Sequence, residues 1–404
     1  MLLRCDQIVT PQGTVDGAIL VREGIVEKII GKEEIDESAS MVDYRGKRIL
    51  PGLIDIHTHG YLGWKSQDTD PQSFHHLARA MASIGVSGFY VTAGEHCEDE
   101  MENLRAIADA MDQQKQGLKG EARILGIHME GPFLNPQRKG AFAAEQLLDV
   151  SFEKMEAYVK ASRNNIRYMT MAPELDPEGK MIRWCHDHNI LVTGGHTVAT
   201  FEQYSKGIEQ GLSCSTHTGN AMRQMDRRDP GAYGAALLSD KIMNEVICDL
   251  FHISEPMLEI MFRIKNGGMD RFIMISDSGS MSGMPSGTYV IDGRNRTISP
   301  EGLVVLDNGT ISGSSKNMMY GVRNLEKIMH KPITKIIRMT SENPAALFGL
   351  SQKGSIEEGK DADLVVIDEN YHVLCTYVEG QKIVIGENED LVNPQFFVDC
   401  PKIR

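Results

Sequence analysis

Two histidines two positions apart close the apolar run Pro51-Gly-Leu-Ile-Asp-Ile-His-Thr-His-Gly60. Side chains alternate across a β-strand, so His57 and His59 leave such a strand on the same side. Two imidazoles that emerge together at the carboxyl end of a strand make half of a metal site. Because His-x-His is common by chance, this interpretation depends on what the other strands of the chain end in.

Four later apolar segments each end in another candidate ligand or proton carrier, namely Glu130, His196, His217 and Asp277. A carboxylate placed like Glu130 is costly to bury unless it is paired or binds a metal, with a helix cap or a buried salt bridge as the alternative. Neutral imidazoles together with a carboxylate suit zinc, iron or manganese. His128 lies on the same face two residues earlier, and we expect it to be a hydrogen-bonded core histidine.

Asp277 ends the last of these segments, after the apolar run 272–275. A carboxylate near a metal-bound water can act first as a general base and then as a general acid. We therefore predict that Asp277 is the catalytic residue.

Residues 51–353 alternate apolar strand cores with amphipathic stretches. The eight strand cores lie around 53–59, 87–93, 123–130, 166–172, 190–196, 213–218, 245–251 and 271–277, and the stretches between them include 72–84, 99–115, 152–162, 177–187, 200–210 and 255–266. Eight such units predict an α/β fold of the (β/α)₈ TIM-like barrel type. A doubly wound sheet is the alternative, but candidate ligands on five strands need strand ends that face one centre.

The two ends of the chain predict a second, smaller domain. Residues 1–50 contain short strand patterns, and residues 354–367 return to a strand pattern after helices expected at 316–329 and 333–347. Neither end has enough strands to bury a face alone, so we expect them to join into one discontinuous domain, 1–50 plus 354–404. The Gly/Ser/Pro-rich excursion at 278–315 is expected to cover the active site and to contain a hairpin from Tyr289.

Composition limits the partners and the location. The chain has 404 residues, of which 41% are hydrophobic, and a formal net charge of −14. That charge disfavours nucleic acid or an anionic membrane as a partner, while it leaves room for a local basic pocket that binds a phosphate. Seven scattered cysteines without a C-x-x-C pair indicate reduced thiols, and no run of about 18 apolar residues occurs. We expect a cytoplasmic protein.

The blocks PGLIDIHTHG, HMEGPF, GGHT, THTGNAM, ISDS and GSIEEGKDADLVV follow one another over nearly the whole chain. Together they resemble the amidohydrolase superfamily. HMEGPF followed by Lys-Gly-Ala, the THTGNAM block, Arg-Asp-Pro-Gly at 228–231 and Ile-Ser-Gly-Ser-Ser at 311–315 resemble its N-acetylglucosamine-6-phosphate deacetylase family more closely. The resemblance implies a (β/α)₈ barrel flanked by a β-sandwich, usually in a homodimer.

The resemblance also implies roles for single residues. The family's core metal ligands correspond to Glu130, His196 and His217, and its catalytic acid/base corresponds to Asp277. Members that keep the His-x-His pair hold two divalent ions and the others hold one, so His57 and His59 favour two ions bridged by Glu130.

The sugar phosphate is held in the family by residues that correspond to Asn220, Ala221 and Arg228, and a histidine corresponding to His252 is offered to the substrate of the neighbouring subunit. Two departures affect this substrate pocket. Phe142 stands where the family has a histidine that contacts a sugar hydroxyl, and Thr218 with Gly219 replaces a bulky pair. Glu95 stands at a position that tends to be uncharged in the family. It is either an additional polar contact to the substrate or a surface carboxylate.

These observations predict a metal-dependent deacetylase that hydrolyses the acetamide of an N-acetylated amino-sugar phosphate, such as N-acetylglucosamine 6-phosphate. One alternative is an amidohydrolase of another N-acyl or cyclic amide. Cyclic-amide hydrolases generally bridge two metals with a carboxylated lysine on strand four, whereas residues 169–175 contain no lysine. The other alternative is a non-catalytic metal-binding barrel that serves as a scaffold.

Overall fold

The computed structural model describes residues 1–36, 38–94, 99–291, 294–307, 309, 311–384, 391–396 and 402–403. Glu95 therefore lies outside the described residues, and so do two central residues of the expected hairpin, 292 and 293. Within the described ranges, no helix combines the length and the apolar character needed to cross a bilayer.

The chain begins with strands that belong to a flanking sheet. They are β1 (Leu2–Thr10), β2 (Gly13–Arg22), β3 (Ile25–Gly31), β4 (Val42–Asp43) and β5 (Arg48–Pro51). Strand β1 pairs antiparallel with β2 and parallel with both β4 and β5. Strands β1 to β4 overlap the strand patterns expected within residues 1–50, whereas β5 was not predicted.

Eight parallel strands then form the barrel, interrupted after the first by a short hairpin of β7 (Gly60–Tyr61) and β8 (Trp64–Lys65). The barrel strands are β6 (Leu53–Thr58), β9 (Val86–Ala93), β10 (Arg123–Glu130), β11 (Ile166–Met171), β12 (Leu191–Gly194), β13 (Cys214–Ser215), β14 (Met243–Ile247) and β15 (Phe272–Ile275). They lie side by side in chain order, and a parallel bridge between Thr58 and Ser278 joins the last to the first. The (β/α)₈ barrel prediction is confirmed.

Helices follow the barrel strands and cover their outer face. They are α1 (Pro71–Ser83), α2 (Glu100–Lys115), α3 (Phe152–Ala161), α4 (Lys180–Asp187), α5 (Phe201–Gln210), α6 (Gly231–Leu238) and α7 (Glu255–Ile264). The sequence pattern did not predict α6. Its residues are nearly all small or apolar, and seven of the eight are buried, so it has no polar face to reveal a helical period.

Two hydrophobic clusters show how the barrel is filled and covered. One includes Ile54, Tyr90, Tyr168, Ile247 and Ile273, which come from five different barrel strands and can meet only inside it. The larger cluster packs the outward faces of the strands against the helices. The strands are therefore buried on both sides, as parallel strands require.

The expected excursion after β15 forms a small antiparallel sheet of β16 (Gly287–Ile291), β17 (Arg294–Ile298), β18 (Leu303–Leu306) and β19 (Ile311–Ser314). Strands β16 and β17 are the expected hairpin, whereas β18 and β19 were not predicted. Helical segments α8 (Met318–Arg323), α9 (Ile333–Ile337) and α10 (Asn343–Leu347) follow, continued by π-helical turns at Asn324–Ile328 and Arg338–Glu342.

The last strands are β20 (Leu364–Ile367), β21 (Val373–Val378), β22 (Gln381–Val384) and β23 (Lys402–Ile403). Strand β23 pairs antiparallel with β16 and so belongs to the inserted sheet. Strand β20 pairs antiparallel with β5, with Leu364 opposite Pro51. The two ends of the chain therefore share one sheet, with strand order β22-β21-β20-β5-β1-β2-β3, and this separate domain is discontinuous. The strand pattern expected from residue 354 begins only at Leu364, and the exact domain boundaries stay a prediction.

Candidate metal centre and active site

The side chains of four histidines meet one carboxylate at the carboxyl end of the barrel. Glu130 Oε1 lies 3.0 Å from His196 Nε2 and 3.1 Å from His217 Nε2. Glu130 Oε2 lies 3.1 Å from His59 Nε2, and His57 Nε2 lies 3.5 Å from Glu130 Oε1. The structure thus brings together all five residues that the sequence predicts as ligands. Each one lies within two residues of the end of a barrel strand.

The donors form two overlapping sets that share Glu130. Ligand atoms of His57, His59 and Glu130 lie within 4.8 Å of one another, and so do those of Glu130, His196 and His217. The donors could therefore hold one ion at either set, or two ions if the sets share Glu130.

Backbone strain accompanies this convergence. His196 has φ of 47°, His217 of 26° and Asp277 of 47°, all in the left-handed region that non-glycine residues rarely adopt. Each follows the end of a barrel strand, where the turn redirects its side chain toward the axis. Strained conformations of this kind persist where the surroundings hold them, and they cluster at functional sites.

Opposite charges in the cluster offset the cost of burying each charged group. Burial alone disfavours a charged Glu130, but His57, His196 and His217 outweigh it and hold the pKa of Glu130 well below its usual value. Burial likewise opposes protonation of His57, but the carboxylates of Glu130 and Asp277 keep the pKa of His57 well above the usual one. The carboxylates thus attract positive charge into a buried site, and a divalent cation would supply it.

Two further observations fit a metal ion. The Nε2 atoms of His196 and His217 lie 3.1 Å apart and both face Glu130 Oε1, so either a proton on one of the two rings or a cation held by both would relieve their repulsion. Among the described residues, His57 Nε2 is buried without a hydrogen-bond partner. Imidazole nitrogens and a carboxylate oxygen are ligands that zinc, iron and manganese accept.

His128 has a structural environment, as expected. Its Nε2 lies 2.8 Å from Thr170 Oγ1 and its Nδ1 lies 3.2 Å from Thr92 Oγ1. Burial and the neighbouring charge of His57 hold the pKa of His128 well below its usual value. A neutral histidine with both nitrogens in hydrogen bonds is not available as a ligand.

Asp277 stands beside the donor sets and faces the cavity. Its Oδ1 lies 3.5 Å from His57 Nε2 and 3.5 Å from His59 Nε2, and its side chain keeps 21% of its surface exposed. Burial opposes its charge, but His57, His59 and His217 outweigh this and lower the pKa of Asp277. It is therefore a carboxylate at neutral pH, which is the form that can accept a proton.

A cavity of about 540 Å³ opens over the donors. It is lined by His59, Glu130, residues 136–142, His196, His217, Asn220, Ala221, His252, Asp277, Gly279, Arg296 and Ile311. The last two belong to β17 and β19, so the inserted sheet does cover the active site. The size is suitable for a small organic substrate.

The predicted substrate residues do not all reach this cavity. Asn220 and Ala221 line it, and so does Phe142, whose ring meets that of His196 edge to face with centroids 5.5 Å apart. Arg228 is exposed and lies outside the lining. His252 lines the cavity of its own chain and is held by Asp249, whose Oδ2 lies 2.8 Å from its Nδ1. A contribution of His252 to a neighbouring subunit stays a prediction.

The sequence interpretation missed several residues near the centre. Arg138, Lys139 and Arg296 add positive charge to the cavity wall. Lys139 belongs to the Lys-Gly-Ala block noted in the sequence, but neither it nor the two arginines was predicted to line the site. Glu245, on β14, is completely buried and lies 3.2 Å from His57. A carboxylate directly before the apolar residues Val246 and Ile247 of a barrel strand was the signal that could have revealed Glu245.

Comparison with known proteins gives consistent matches. A family model described as the Amidohydrolase family matches residues 48–385. N-acetylglucosamine-6-phosphate deacetylase of Lysinibacillus sphaericus is 32% identical over 346 residues, which are 85% of this chain and 88% of that relative. N-acetylgalactosamine-6-phosphate deacetylase of Escherichia coli O157:H7 is 27% identical, covering 94% of this chain and 98% of that relative.

A solved structure gives the same similarity in three dimensions. The crystal structure of N-acetylglucosamine-6-phosphate deacetylase from Pasteurella multocida superposes with a TM-score of 0.85. The sequence identity is 26%, and the match covers 95% of this chain and 100% of the Pasteurella multocida chain. Both the barrel and the flanking sheet are therefore shared.

Proposed function

The chain belongs to the amidohydrolase family, in its N-acetylglucosamine-6-phosphate deacetylase branch, and from this premise we propose that it hydrolyses the acetamide of an N-acetylated amino-sugar phosphate. The products are acetate and the free amine. The family is metal-dependent, and its members are hydrolases. The observation that carries the proposal is the position of Asp277 beside two donor sets that share Glu130.

We assign the metal to these donors. Glu130, His196 and His217 form one set, His57 and His59 complete the other, and zinc, iron and manganese are the ions that suit them. A divalent ion held by these donors would supply polarisation of the acetamide carbonyl and would lower the pKa of a water molecule towards neutrality. Asp277 takes the proton from that water and returns it to the leaving nitrogen, so no covalent intermediate is needed.

The cavity wall supports a phosphorylated substrate. Arg138, Lys139 and Arg296 contribute cationic side chains. Burial opposes a charge on His252, but Asp249 outweighs it and raises the pKa of His252, which favours the imidazolium form. A phosphate group would find several donors here despite the acidic character of the whole chain.

The preferred sugar is left open between close relatives. Similar proteins are named for N-acetylglucosamine 6-phosphate and for N-acetylgalactosamine 6-phosphate, which differ in the orientation of one hydroxyl. Phe142 lines the cavity and offers a substrate an apolar surface without a hydrogen-bond donor. We propose that this apolar surface selects a substrate other than N-acetylglucosamine 6-phosphate. We also propose that the enzyme is a cytoplasmic homodimer.

Hydrolysis of a cyclic amide is less well supported. The described end of β11, the fourth barrel strand, presents Thr170, whose hydroxyl lies within 3.0 Å of the Thr216 hydroxyl and contacts His128. No lysine stands at this strand end to bridge two ions.

An acetate-release assay tests the function. Metal-free protein and protein loaded with zinc, iron(II) or manganese would be given both hexosamine phosphates, N-acetylglucosamine without phosphate, an N-acetyl amino acid and a cyclic amide. We expect metal-dependent release from the phosphorylated sugars in large excess over the others. Ring opening of the cyclic amide yields no acetate and would be followed by titration of the carboxylic acid that it forms. Preference for an unphosphorylated or cyclic amide would replace the proposed substrate, and no hydrolysis of any compound would support the scaffold alternative.

A further inference from the structure

Glu245 is a buried carboxylate that plays no part in the chemistry described above. It lies in β14, the seventh barrel strand, and its side chain is completely inaccessible to solvent. A buried carboxylate is costly unless donors surround it, so its partners indicate why the fold keeps it there.

The partners of Glu245 come from both donor sets. Its Oε2 accepts a hydrogen bond from the backbone N–H of His217 at 2.9 Å and lies 3.2 Å from Nδ1 of His57. Its Oε1 accepts a hydrogen bond from the Tyr168 hydroxyl at 2.7 Å. A single oxygen atom therefore contacts one histidine from each of the two sets.

Each contact has a defined effect on its histidine. A proton on Nδ1 of His57, donated to Glu245, leaves the lone pair on Nε2, the atom that faces Glu130 and Asp277. The bond to the backbone of His217 holds this residue at its strained φ of 26°, which directs Nε2 toward Glu130 Oε1. Tyr168 in turn fixes the orientation of the carboxylate.

We propose that Glu245 is a positioning residue that couples the two metal sites, because it orients a ligand of each. This inference rests on the proposed metal-dependent function. Partners of this kind fix the tautomer and orientation of ligating histidines, and their loss typically weakens metal binding about 10- to 100-fold. One carboxylate shared between two sites should weaken both when it is replaced.

Glu245→Gln is the decisive substitution, because it keeps the size of the side chain. The amide is uncharged and keeps only one acceptor oxygen, so its hydrogen bonds to His57 and His217 are weaker than those of the carboxylate even when that oxygen faces them. Tyr168→Phe loosens the carboxylate without removing it. Glu121→Gln is a matched control, because Glu121 is also buried and lies 2.7 Å from a histidine nitrogen, Nδ1 of His75. Glu121 comes just before the first residue of β10, whereas Glu130 is the last, so the control lies at the other end of the barrel from the metal donors.

The measurement is a titration of the metal-free protein with zinc in competition with a chelator, which resolves the two binding steps. We expect Glu245→Gln to weaken both steps about 10- to 100-fold, Tyr168→Phe to weaken both by less, and Glu121→Gln to leave both unchanged. Circular dichroism and thermal unfolding of the metal-free variants identify any general loss of structure. If the effect came only from replacing a buried carboxylate beside a histidine, the Glu121 control should show it as well.

Each contrary result has a separate meaning. Weakening of only one step, or wild-type affinity in Glu245→Gln, would overturn the coupling. If Glu245→Gln fails to fold, unchanged zinc affinity in Tyr168→Phe would overturn it instead. A wild-type protein that binds one ion and releases acetate would remove the coupling while the deacetylase function stands, and a wild-type protein that binds none would remove both.

Discussion

The backbone N–H of Asp277 donates a hydrogen bond of 3.0 Å to the carbonyl oxygen of His57. This bond joins the end of the eighth barrel strand to the end of the first. The side chains of the same two residues face each other over 3.5 Å in the metal centre. Closure of the barrel and assembly of the site therefore depend on the same pair of residues.

The first prediction concerns proton transfer by Asp277. Asp277→Asn keeps the backbone bond to His57 and the size of the side chain, so the protein should fold and retain its metal. The amide cannot accept a proton, and we expect kcat to fall by roughly 100-fold or more. Steady-state kinetics and elemental analysis check this, and near-normal turnover would exclude Asp277 as the base.

The second prediction concerns the ligands His196 and His217. Replacing either by alanine removes a nitrogen donor next to Glu130 and should reduce both metal content and activity. His372→Ala is the control, because His372 is exposed and its Nδ1 lies 3.0 Å from Asp368 Oδ2 in the flanking sheet domain, away from the donors. Full metal occupancy of both ligand variants by elemental analysis would contradict the assigned role.

The third prediction compares two arginines as the phosphate ligand. The resemblance gives this role to Arg228, which lies outside the cavity, whereas Arg296 lines it. We expect Arg296→Gln to raise KM about 10-fold or more for a phosphorylated substrate, with little change for the unphosphorylated sugar. If Arg228→Gln has that effect and Arg296→Gln does not, the phosphate is held by a residue from outside the cavity of the same chain.

The fourth prediction decides which subunit uses His252. His252 lines the cavity of its own chain, so we expect it to act there. The test is to co-express differently tagged Asp277→Asn and His252→Ala chains so that they form mixed dimers. Each site of such a dimer should still lack one of the two groups. Activity should stay at the level of the parent variants. Restored acetate release in dimers purified through both tags would show that His252 serves the partner. If the protein purifies as a monomer, His252 can act only in the cavity of its own chain.

The fifth prediction addresses Phe142. Phe142→His restores a donor where the phenyl ring now meets His196, and it should raise kcat/KM for N-acetylglucosamine 6-phosphate by roughly 10- to 100-fold. Phe142→Leu is the control, because it keeps the site apolar. If the wild type already prefers N-acetylglucosamine 6-phosphate and Phe142→His gives no gain, Phe142 does not determine the specificity.

The barrel and the positions of its donors were predictable, because each candidate ligand follows an apolar strand and parallel strand ends meet at one edge. Helix α6 was not predictable from periodicity, because it is buried on all sides. Glu245 was visible as a charge in an apolar strand, but its partners come from three other parts of the chain. Arg296 reaches the cavity only through the fold of the inserted sheet.

The pairing of β5 with β20 has a consequence for biosynthesis. When Pro51 leaves the ribosome, its partner Leu364 is still about 300 residues away, which takes roughly 15 to 60 seconds at the usual rate of translation. During that time one edge of β5 lacks its neighbour while the barrel forms directly behind it. Unpaired edges invite association with other chains. Nascent chains are therefore most in need of chaperone protection at this edge, until β20 emerges.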